Sequence, residues 1–328
     1  VMQLSMFGFW GGVYLVGLLG LLGACMGSFI NCFAWRIVHG ENVWRGRSHC
    51  ATCNHTLGVL DLVPVLSWLL LRGRCRYCGE KISARYPATE LVCGAVFICL
   101  VVVYGISVQA LVYCVLACLL LAVALVDLDT MTIPNGFVVA GIVVWAASVW
   151  WVPTQAAAFS VGSLFAGWLG SGWLALVADG LAGALGVGGF MLAASLVFDR
   201  VLGKQSLGGG DIKLLFMVGL FLGAALSVFN LLVSCLLGLV FATASKQIAQ
   251  SAKPASFDDS QDDSSTPGTP VSSPVIAQEA KNLGLHDEET LTIMEAGAFP
   301  FGPAIAAATL VTLLVGPSVL EWYLGLFL

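Results

Sequence analysis

The chain has 328 residues, of which 59% are hydrophobic and only 10% are charged, with a formal net charge of −5. Soluble globular proteins carry about 25% charged residues, so this composition excludes an ordinary soluble domain. It predicts an all-α polytopic membrane protein, because apolar runs of about twenty residues span a bilayer as helices. No basic stripe is interleaved with aromatic residues, and we therefore expect no nucleic-acid partner.

The apolar segments predict about eight transmembrane helices. The first, from Phe7 to Phe33, has no preceding Lys or Arg and is too long for a cleavable signal peptide. The eight predicted spans are residues 8–33, 90–105, 107–126, 136–152, 181–198, 214–225, 227–246 and 301–327. Residues 155–178 leave open an interfacial helix or a re-entrant segment, and two additional spans would also agree with the hydropathy.

The basic residues predict the orientation of these spans. All fourteen Lys and Arg residues fall within segments 36–85, 200–213 and 246–253, or at Lys281. With eight spans and the N-terminus outside, all of them face the cytoplasm, in agreement with the positive-inside rule. The same topology puts Asp127 at the cytoplasmic end of its helix.

The strongest metal-binding pattern is a pair of Cys-x2-Cys motifs after the first span. The motifs are twenty-one residues apart, which is typical of a tetrahedral zinc site with four thiolate ligands. The predicted ligands are Cys50, Cys53, Cys75 and Cys78. Such a closed site is structural, and a reducing cytoplasm favours zinc over disulfides, although an apo or redox-active cluster is the alternative. The nearby His49 and His55 are interpreted as surface residues.

Two aspartates stand at the ends of long apolar runs. Asp127 follows one run, and Asp211 precedes another. A carboxylate at membrane depth costs several kcal/mol unless it is paired, protonated or hydrated. Two carboxylates in one site do not both ionise easily, so one holds a proton, and such a pair can activate water against a peptide carbonyl. The alternative is that each aspartate caps a helix or merely ends a span.

The neighbours of the two aspartates suggest supporting roles. Gly208 and Gly210 permit a tight turn and close backbone approach before the second aspartate. Asp129 would point roughly away from Asp127 on a helix, so we interpret it as solvent-facing or auxiliary. Glu90 is predicted either as a helix-start acid favoured by the helix dipole or as a residue that lines the site.

These motifs resemble one family, the bacterial prepilin peptidases, also called type IV leader peptidases, which are bifunctional membrane aspartic proteases. The resemblance covers most of the chain in the family's order. It is carried by Gly-Ser-Phe-Ile-Asn at 27–31, the tetracysteine segment with 64–68 and 72–78, residues 82–87 with Glu90, Asp127 with 133–135, Gly-Gly-Gly-Asp-Ile-Lys-Leu at 208–214, and Pro-Phe-Gly-Pro at 300–303.

The resemblance implies two reactions. The first cleaves the short, basic leader from type IV prepilins or type II secretion pseudopilins, after a glycine at the cytoplasmic face of the inner membrane. It implies Asp127 and Asp211 as the catalytic pair. The residues expected to support this site are Gly208, Gly210, Lys213, Glu90 and Asp129.

The second implied reaction methylates the new N-terminal amine with S-adenosylmethionine. The residues that bind this cofactor are unassigned, and Gly73 and Arg74 are the only candidates. A peptidase without methyltransferase activity is one alternative, and a cation transporter that uses the two aspartates is another. The expected partners are the pilin precursors and the lipid bilayer, with a dimer left open.

The same arguments divide the chain into five parts. We expect the first transmembrane helix at 1–35, a cytoplasmic tetracysteine zinc domain at 36–88, and a transmembrane catalytic core at 89–247. Residues 248–297 are rich in Ser, Asp and Pro, which predicts a disordered acidic linker or, alternatively, a regulatory or partner-binding segment. Residues 298–328 form the last predicted transmembrane helix.

Overall fold

The computed structural model describes residues 8–43, 45–151, 172–202, 208–251 and 300–326. This part of the chain is helical, and its only β-structure is two isolated bridges.

Nine α-helices make up the described part of the molecule. They are α1 (Gly8–Val38), α2 (Leu66–Leu70), α3 (Arg85–Tyr104), α4 (Val108–Thr130), α5 (Asn135–Ser148), α6 (Trp173–Gly183), α7 (Gly189–Leu202), α8 (Gly209–Ser251) and α9 (Gly302–Leu324). A short 3-10 helix covers Val59–Asp61, and a π-helical turn, Ala184–Gly188, joins α6 to α7. Six of the resulting segments are long and apolar enough to cross a membrane, which confirms the predicted class of helical, multi-pass membrane protein.

The helix bounds follow the predicted spans with a few differences. Helix α5 ends at Ser148, so it is shorter than the predicted span 136–152. Helix α6 already begins at Trp173, because the apolar pattern continues upstream of the predicted span 181–198. The end of the ambiguous stretch 155–178 is therefore helical, whereas its residues 155–171 lie outside the described residues.

Helix α8 contains a chain reversal. Its 43 residues would extend about 65 Å if straight, roughly twice the hydrocarbon thickness of a bilayer. Gly223 has φ 71° and ψ −178°, which breaks the helix. Beyond it, Leu226 lies against Gly316 and Asn230 accepts a hydrogen bond from Thr312 at 3.4 Å, so this half runs antiparallel to α9. The two halves correspond to the two predicted spans 214–225 and 227–246.

A buried carboxylate from α6 stabilises this reversal. Asp179 is 7% exposed, and its Oδ1 accepts a hydrogen bond from the backbone N–H of Ala224 at 3.2 Å. That N–H is one of the donors left unpaired at the start of the second half of α8. A side chain at position 223 would collide with the Asp179 carboxylate, which explains the glycine.

Helices α1 and α3 pack at close range through the 27–31 motif. A Cβ on Gly27 would lie 2.9 Å from the Cα of Glu90, so only glycine permits this approach. One turn further along α1, the buried Asn31 donates hydrogen bonds to the Tyr86 carbonyl and the Thr89 hydroxyl. The tetracysteine segment leaves α1 and re-enters the bundle at α3, beside this contact.

The core lies between α3, α4, the first half of α8 and α9. Its largest fully buried side chains include Leu100, Leu116, Leu120, Leu214, Met217, Ile305 and Leu313. Most of the remaining large apolar side chains on the long helices are exposed, as expected where lipid covers the outer faces. The insert predicted at 248–297 lies outside the described residues from 252 onward, and the five domain boundaries remain predictions.

Candidate active site

Asp127 lies in the last turn of α4 and is almost completely buried. Its Oδ2 accepts a hydrogen bond from the backbone N–H of Gly302 at 2.9 Å, across 175 residues of sequence. A Cβ at position 302 would lie 2.5 Å from the same oxygen. The first residue of α9 therefore orients this carboxylate, and only glycine leaves room for it.

Asp211 lies in the first turn of α8 and is partly exposed. Its N–H donates to the carbonyl of Gly208 at 3.1 Å, and a Cβ on Gly208 would lie 3.0 Å from Asp211 Oδ2. A Cβ on Gly210 would lie 3.1 Å from Cβ of Ile133. The predicted roles of the two glycines, a tight turn and close approach, match this packing.

The two carboxylates lie at the same end of the bundle, because Gly210, the neighbour of Asp211, packs against Ile133 just after the end of α4 that carries Asp127. They come from the end of α4 and the start of α8, so the fold joins two residues that are far apart in sequence. Lys213 Nζ donates to Asn135 Oδ1 at 3.0 Å, which ties the start of α8 to the start of α5. All these groups lie at one end of the helix bundle.

Asp129 is half-buried and ion-paired. Arg85, the first residue of α3, donates to its two carboxylate oxygens at 2.5 and 3.0 Å, and also to the Leu125 carbonyl at 3.0 Å. The solvent-facing alternative is therefore wrong. The guanidinium instead clamps the turn of α4 that carries Asp127, and forked pairing of this kind fixes orientation as well as charge.

Glu90 is not a helix-start acid. Helix α3 begins at Arg85, so Glu90 is its sixth residue, beyond the reach of the first-turn dipole. The side chain is 8% exposed, and its Oε2 accepts a hydrogen bond from the backbone N–H of Val65 at 2.7 Å. Glu90 therefore fastens the tetracysteine segment to the membrane helix.

Two contacts at the site were not assigned from the sequence. The motif 300–303 marked the opening of the last helix, but nothing local shows that Gly302 meets Asp127. The motif 133–135 follows the first aspartate, yet its contacts are with the second motif, through Gly210 and Lys213. In both cases the sequence shows the motif but not the residues that it contacts.

The four predicted cysteines form one cluster. The Sγ atoms of Cys50, Cys53, Cys75 and Cys78 all lie within 4.8 Å of one another, and the Cys50–Cys78 distance is 3.9 Å. Tetrahedral zinc with Zn–S bonds of about 2.3 Å puts its sulfurs about 3.8 Å apart, so this donor set fits a metal ion of that kind.

Each Cys-x2-Cys motif forms the same turn. Cys50 N–H donates to the His55 carbonyl at 3.0 Å, and Cys75 N–H donates to the Glu80 carbonyl at 2.8 Å. The residue after each second cysteine has positive φ, 54° at Asn54 and 74° at Gly79. Asn and Gly are the residues that adopt this conformation most readily, and the turn directs both thiols of a pair to one point.

Burial raises the pKa of the Cys50 thiol, but hydrogen bonds from the Cys53 and Thr52 backbone and from the neighbouring thiols outweigh it. The net effect lowers this pKa to about 7. A thiolate is the form that binds a metal, so the cluster can supply one near neutral pH.

The structure explains Gly73 without a cofactor. Its φ is 66°, and a Cβ would lie 2.9 Å from the ring of Trp68. The ring N–H of Trp68 in turn donates to the Ile82 carbonyl at 3.1 Å. Arg74 is exposed beside the second cysteine turn. The role of either residue in binding a methyl donor remains a prediction.

Comparison with known proteins agrees with this geometry. The profile of the bacterial peptidase A24 N-terminal domain matches residues 21–104, and that of the type IV leader peptidase family matches residues 114–243. The prepilin leader peptidase/N-methyltransferase of Myxococcus xanthus (strain DK1622) is 30% identical, covering 95% of this chain and 93% of the relative. The chain belongs to the type IV leader peptidase family.

Two further relatives match more than two thirds of the chain. The type 4 prepilin-like proteins leader peptide-processing enzyme of Escherichia coli O78:H11 is 34% identical over 69% of this chain and 83% of its own length. The prepilin leader peptidase/N-methyltransferase of Bacillus subtilis (strain 168) is 28% identical over 96% of this chain and all of its own length. No solved structure matches the chain. Family membership makes this protein a membrane-embedded peptidase, as the sequence predicts.

Proposed function

We propose that the protein removes the leader peptide from type IV prepilins or pseudopilins, cutting after a glycine at the cytoplasmic face of the inner membrane. The observation that carries this proposal is the placement of Asp127 and Asp211 at the same end of the bundle, where Gly210 packs against Ile133. Relatives that span nearly the same length are named prepilin leader peptidases, which supports the substrate class. The clustering of Arg36, Arg85 and Lys213 at the same end supports its cytoplasmic orientation.

The proposed chemistry needs only the two carboxylates and a water molecule. The ionised aspartate removes a proton from water as its oxygen attacks the scissile carbonyl, and the protonated one donates to the carbonyl oxygen. Collapse of the tetrahedral intermediate breaks the C–N bond, and a proton from the pair goes to the leaving amine. The Gly302 N–H holds one carboxylate in place during these steps.

The proposed second reaction transfers a methyl group from S-adenosylmethionine to the new N-terminal amine, which then loses a proton. Its support is the second half of the names of the relatives, N-methyltransferase. The described residues assign no binding site for this donor beyond the two candidates Gly73 and Arg74. Cleavage without methylation remains the alternative.

The test is product identification with purified protein. A synthetic prepilin N-terminus, with a basic leader, a glycine and a following phenylalanine, is incubated with labelled S-adenosylmethionine, and the products are analysed by mass spectrometry. We expect a cut after the glycine and one methyl group on the new amine. An intact peptide would contradict the peptidase proposal, whereas a cut without a methyl group would favour the alternative.

A further prediction concerns the metal. We expect one zinc ion per chain in the wild-type protein, held by the four cysteines, and loss of most of it in Cys75→Ser, because Cys75 is the buried ligand. The measurement is metal content by mass spectrometry, together with protease sensitivity of residues 39–84. Cys235→Ser, at an exposed cysteine outside the cluster, is the control. Equal zinc content in both variants would contradict the assignment of the four cysteines as a metal site.

The ion pair between Arg85 and Asp129 predicts that Arg85 affects catalysis without contacting the substrate. Arg85→Ala should lower kcat by about tenfold or more with little change in KM, because charged hydrogen bonds contribute about 1.5–3 kcal/mol each. Arg85→Lys should recover part of the loss, since lysine keeps the charge but not the fork. The double variant Arg85→Ala/Asp129→Ala should be no worse than the larger single effect.

The measurement is steady-state cleavage of the synthetic prepilin. Arg45→Ala, at an exposed arginine of the tetracysteine segment, is the matched control and should leave kcat unchanged. Additive losses in the double variant would show that Arg85 and Asp129 act separately.

A further inference from the structure

The tetracysteine segment carries an exposed apolar face outside the long membrane helices. It consists of the 3-10 helix Val59–Asp61, α2 and residues 62–65 between them. Its side chains are Val59, Leu60, Leu62, Leu66, Leu69 and Leu70, exposed by 80, 72, 41, 53, 57 and 74%. The two short helices contact each other, which brings these exposed side chains close together. A cluster of exposed apolar side chains on a small domain marks an interaction surface.

The position of this apolar face relates it to the membrane. Val65, the residue before α2, donates its N–H to Glu90 at 2.7 Å. Glu90 lies five residues, or about 7.5 Å, inside α3. Its Cα packs against Gly27, which lies eleven residues, or about 16 Å, before the end of α1. Helix α2 therefore begins beside the apolar helices α1 and α3 and within their length, not beyond their ends.

The backbone at this point is held in place by the fold. Val65 has φ 60°, a conformation that a β-branched residue rarely adopts. The hydrogen bond to the buried Glu90 compensates for this strain and fixes the direction in which α2 leaves. On α2, Trp68 faces inward to the Ile82 carbonyl, and Leu66, Leu69 and Leu70 occupy the opposite, exposed side. The i, i+3, i+4 spacing puts all three on one helical face.

The charges around the apolar face match a lipid surface. Residues 39–84 contain six basic and three acidic residues. Arg72 and Arg74 follow α2 directly and are exposed, and Arg76 pairs with Asp61 at 2.8 Å while remaining half exposed. Apolar side chains flanked by arginines are the combination that binds the interfacial region of a bilayer containing anionic lipids.

We infer that this apolar face inserts into the cytoplasmic interfacial layer of the bilayer that holds the transmembrane helices. The ligand of the apolar face is therefore lipid. Its acyl chains contact the leucines, and its anionic headgroups contact the arginines. The segment then lies on the membrane, fastened at Glu90 on one side and by its leucines on the other. The inference does not depend on the proposed peptidase activity.

The test places a photoreactive benzoylphenylalanine at Leu70, and separately at Val59, in the full chain reconstituted into nanodiscs with an alkyne-tagged phospholipid. Thr52, exposed on the first cysteine turn, is the matched control position. We expect lipid labelling at Leu70 and Val59 at least about fivefold above that at Thr52. We also expect a further rise when phosphatidylglycerol replaces part of the phosphatidylcholine.

Binding of a second copy of the chain or of a substrate peptide to the apolar face, in place of lipid, would give different results in the same experiment. Equal lipid labelling at all three positions would overturn the inference. So would crosslinks at Leu70 or Val59 that join two copies of the chain or capture an added prepilin peptide in preference to lipid. Metal content and cleavage activity of each labelled protein identify a misfolded variant, and the second apolar position keeps the test decisive if one fails to fold. Because lipid labelling needs no substrate, loss of peptidase activity would leave this readout intact.

Discussion

Asp127→Asn and Asp211→Asn are each expected to lower leader-peptide cleavage by about 10²–10⁴-fold. Asparagine keeps the size of the side chain but neither accepts the proton of water nor returns one to the leaving amine. The two carboxylates act as a unit in the proposed chemistry. The double variant should therefore be no slower than either single variant, because the effects of residues that act together do not add.

The second proposed activity provides the control for this experiment. A pre-cleaved peptide with a free N-terminal phenylalanine needs no hydrolysis, so both variants should methylate it at the wild-type rate if the fold is intact. Glu80→Gln, at an exposed acid of the second cysteine turn, should cleave normally. Cleavage within a few-fold of wild type in either aspartate variant would remove that residue from the catalytic pair.

Gly302→Ala is expected to lower kcat by about 100-fold, since a displacement of about 1 Å at a reacting group can cost that much. The new Cβ would lie 2.5 Å from Asp127 Oδ2, which is too close for either atom to stay in place. The carboxylate has little room to move, because it is 3% exposed. KM should change much less, since Gly302 orients the carboxylate and need not touch the substrate.

Gly136→Ala is the matched control, because a Cβ there meets nothing within 4 Å although the residue lies near the same end of the bundle. The measurement compares kcat, KM and thermal stability in detergent for the two variants. If Gly302→Ala retained wild-type kcat, the backbone N–H of Gly302 would have no part in positioning Asp127. If both variants lost activity equally, the effect would not be specific to the contact.

The features that depend on local pattern were predictable from the sequence. Long apolar runs gave the helices that cross the membrane, and the paired Cys-x2-Cys motifs gave the four sulfurs that meet in one cluster. The glycines around Asp211 were predicted to allow close approach, and Gly210 does pack against Ile133. In each case a spacing of a few residues determines the geometry.

The features that depend on which helices pack together were not predictable. Arg85 and Asp129 are 44 residues apart, so the pair appears only once α3 and α4 are side by side. The sequence predicted that Asp129 would point away from Asp127 on a helix, but it did not predict that Arg85 pairs with Asp129. Glu90 was misplaced by a boundary error, since α3 begins at Arg85 and not at the carboxylate. Because α3 begins five residues before Glu90, this side chain does not stabilise the start of the helix but binds the Val65 backbone.

The hydrogen bond between Gly302 and Asp127 also has a consequence for the order of biosynthesis. One carboxylate of the proposed catalytic pair is contributed by α4, and the group that orients it belongs to α9, 175 residues later. A nascent chain that has inserted α1 to α8 still lacks this donor, so we expect it to be inactive until α9 has been made and inserted. A chain cut within residues 252–299 and expressed as two fragments should regain cleavage only when both are made in the same cell.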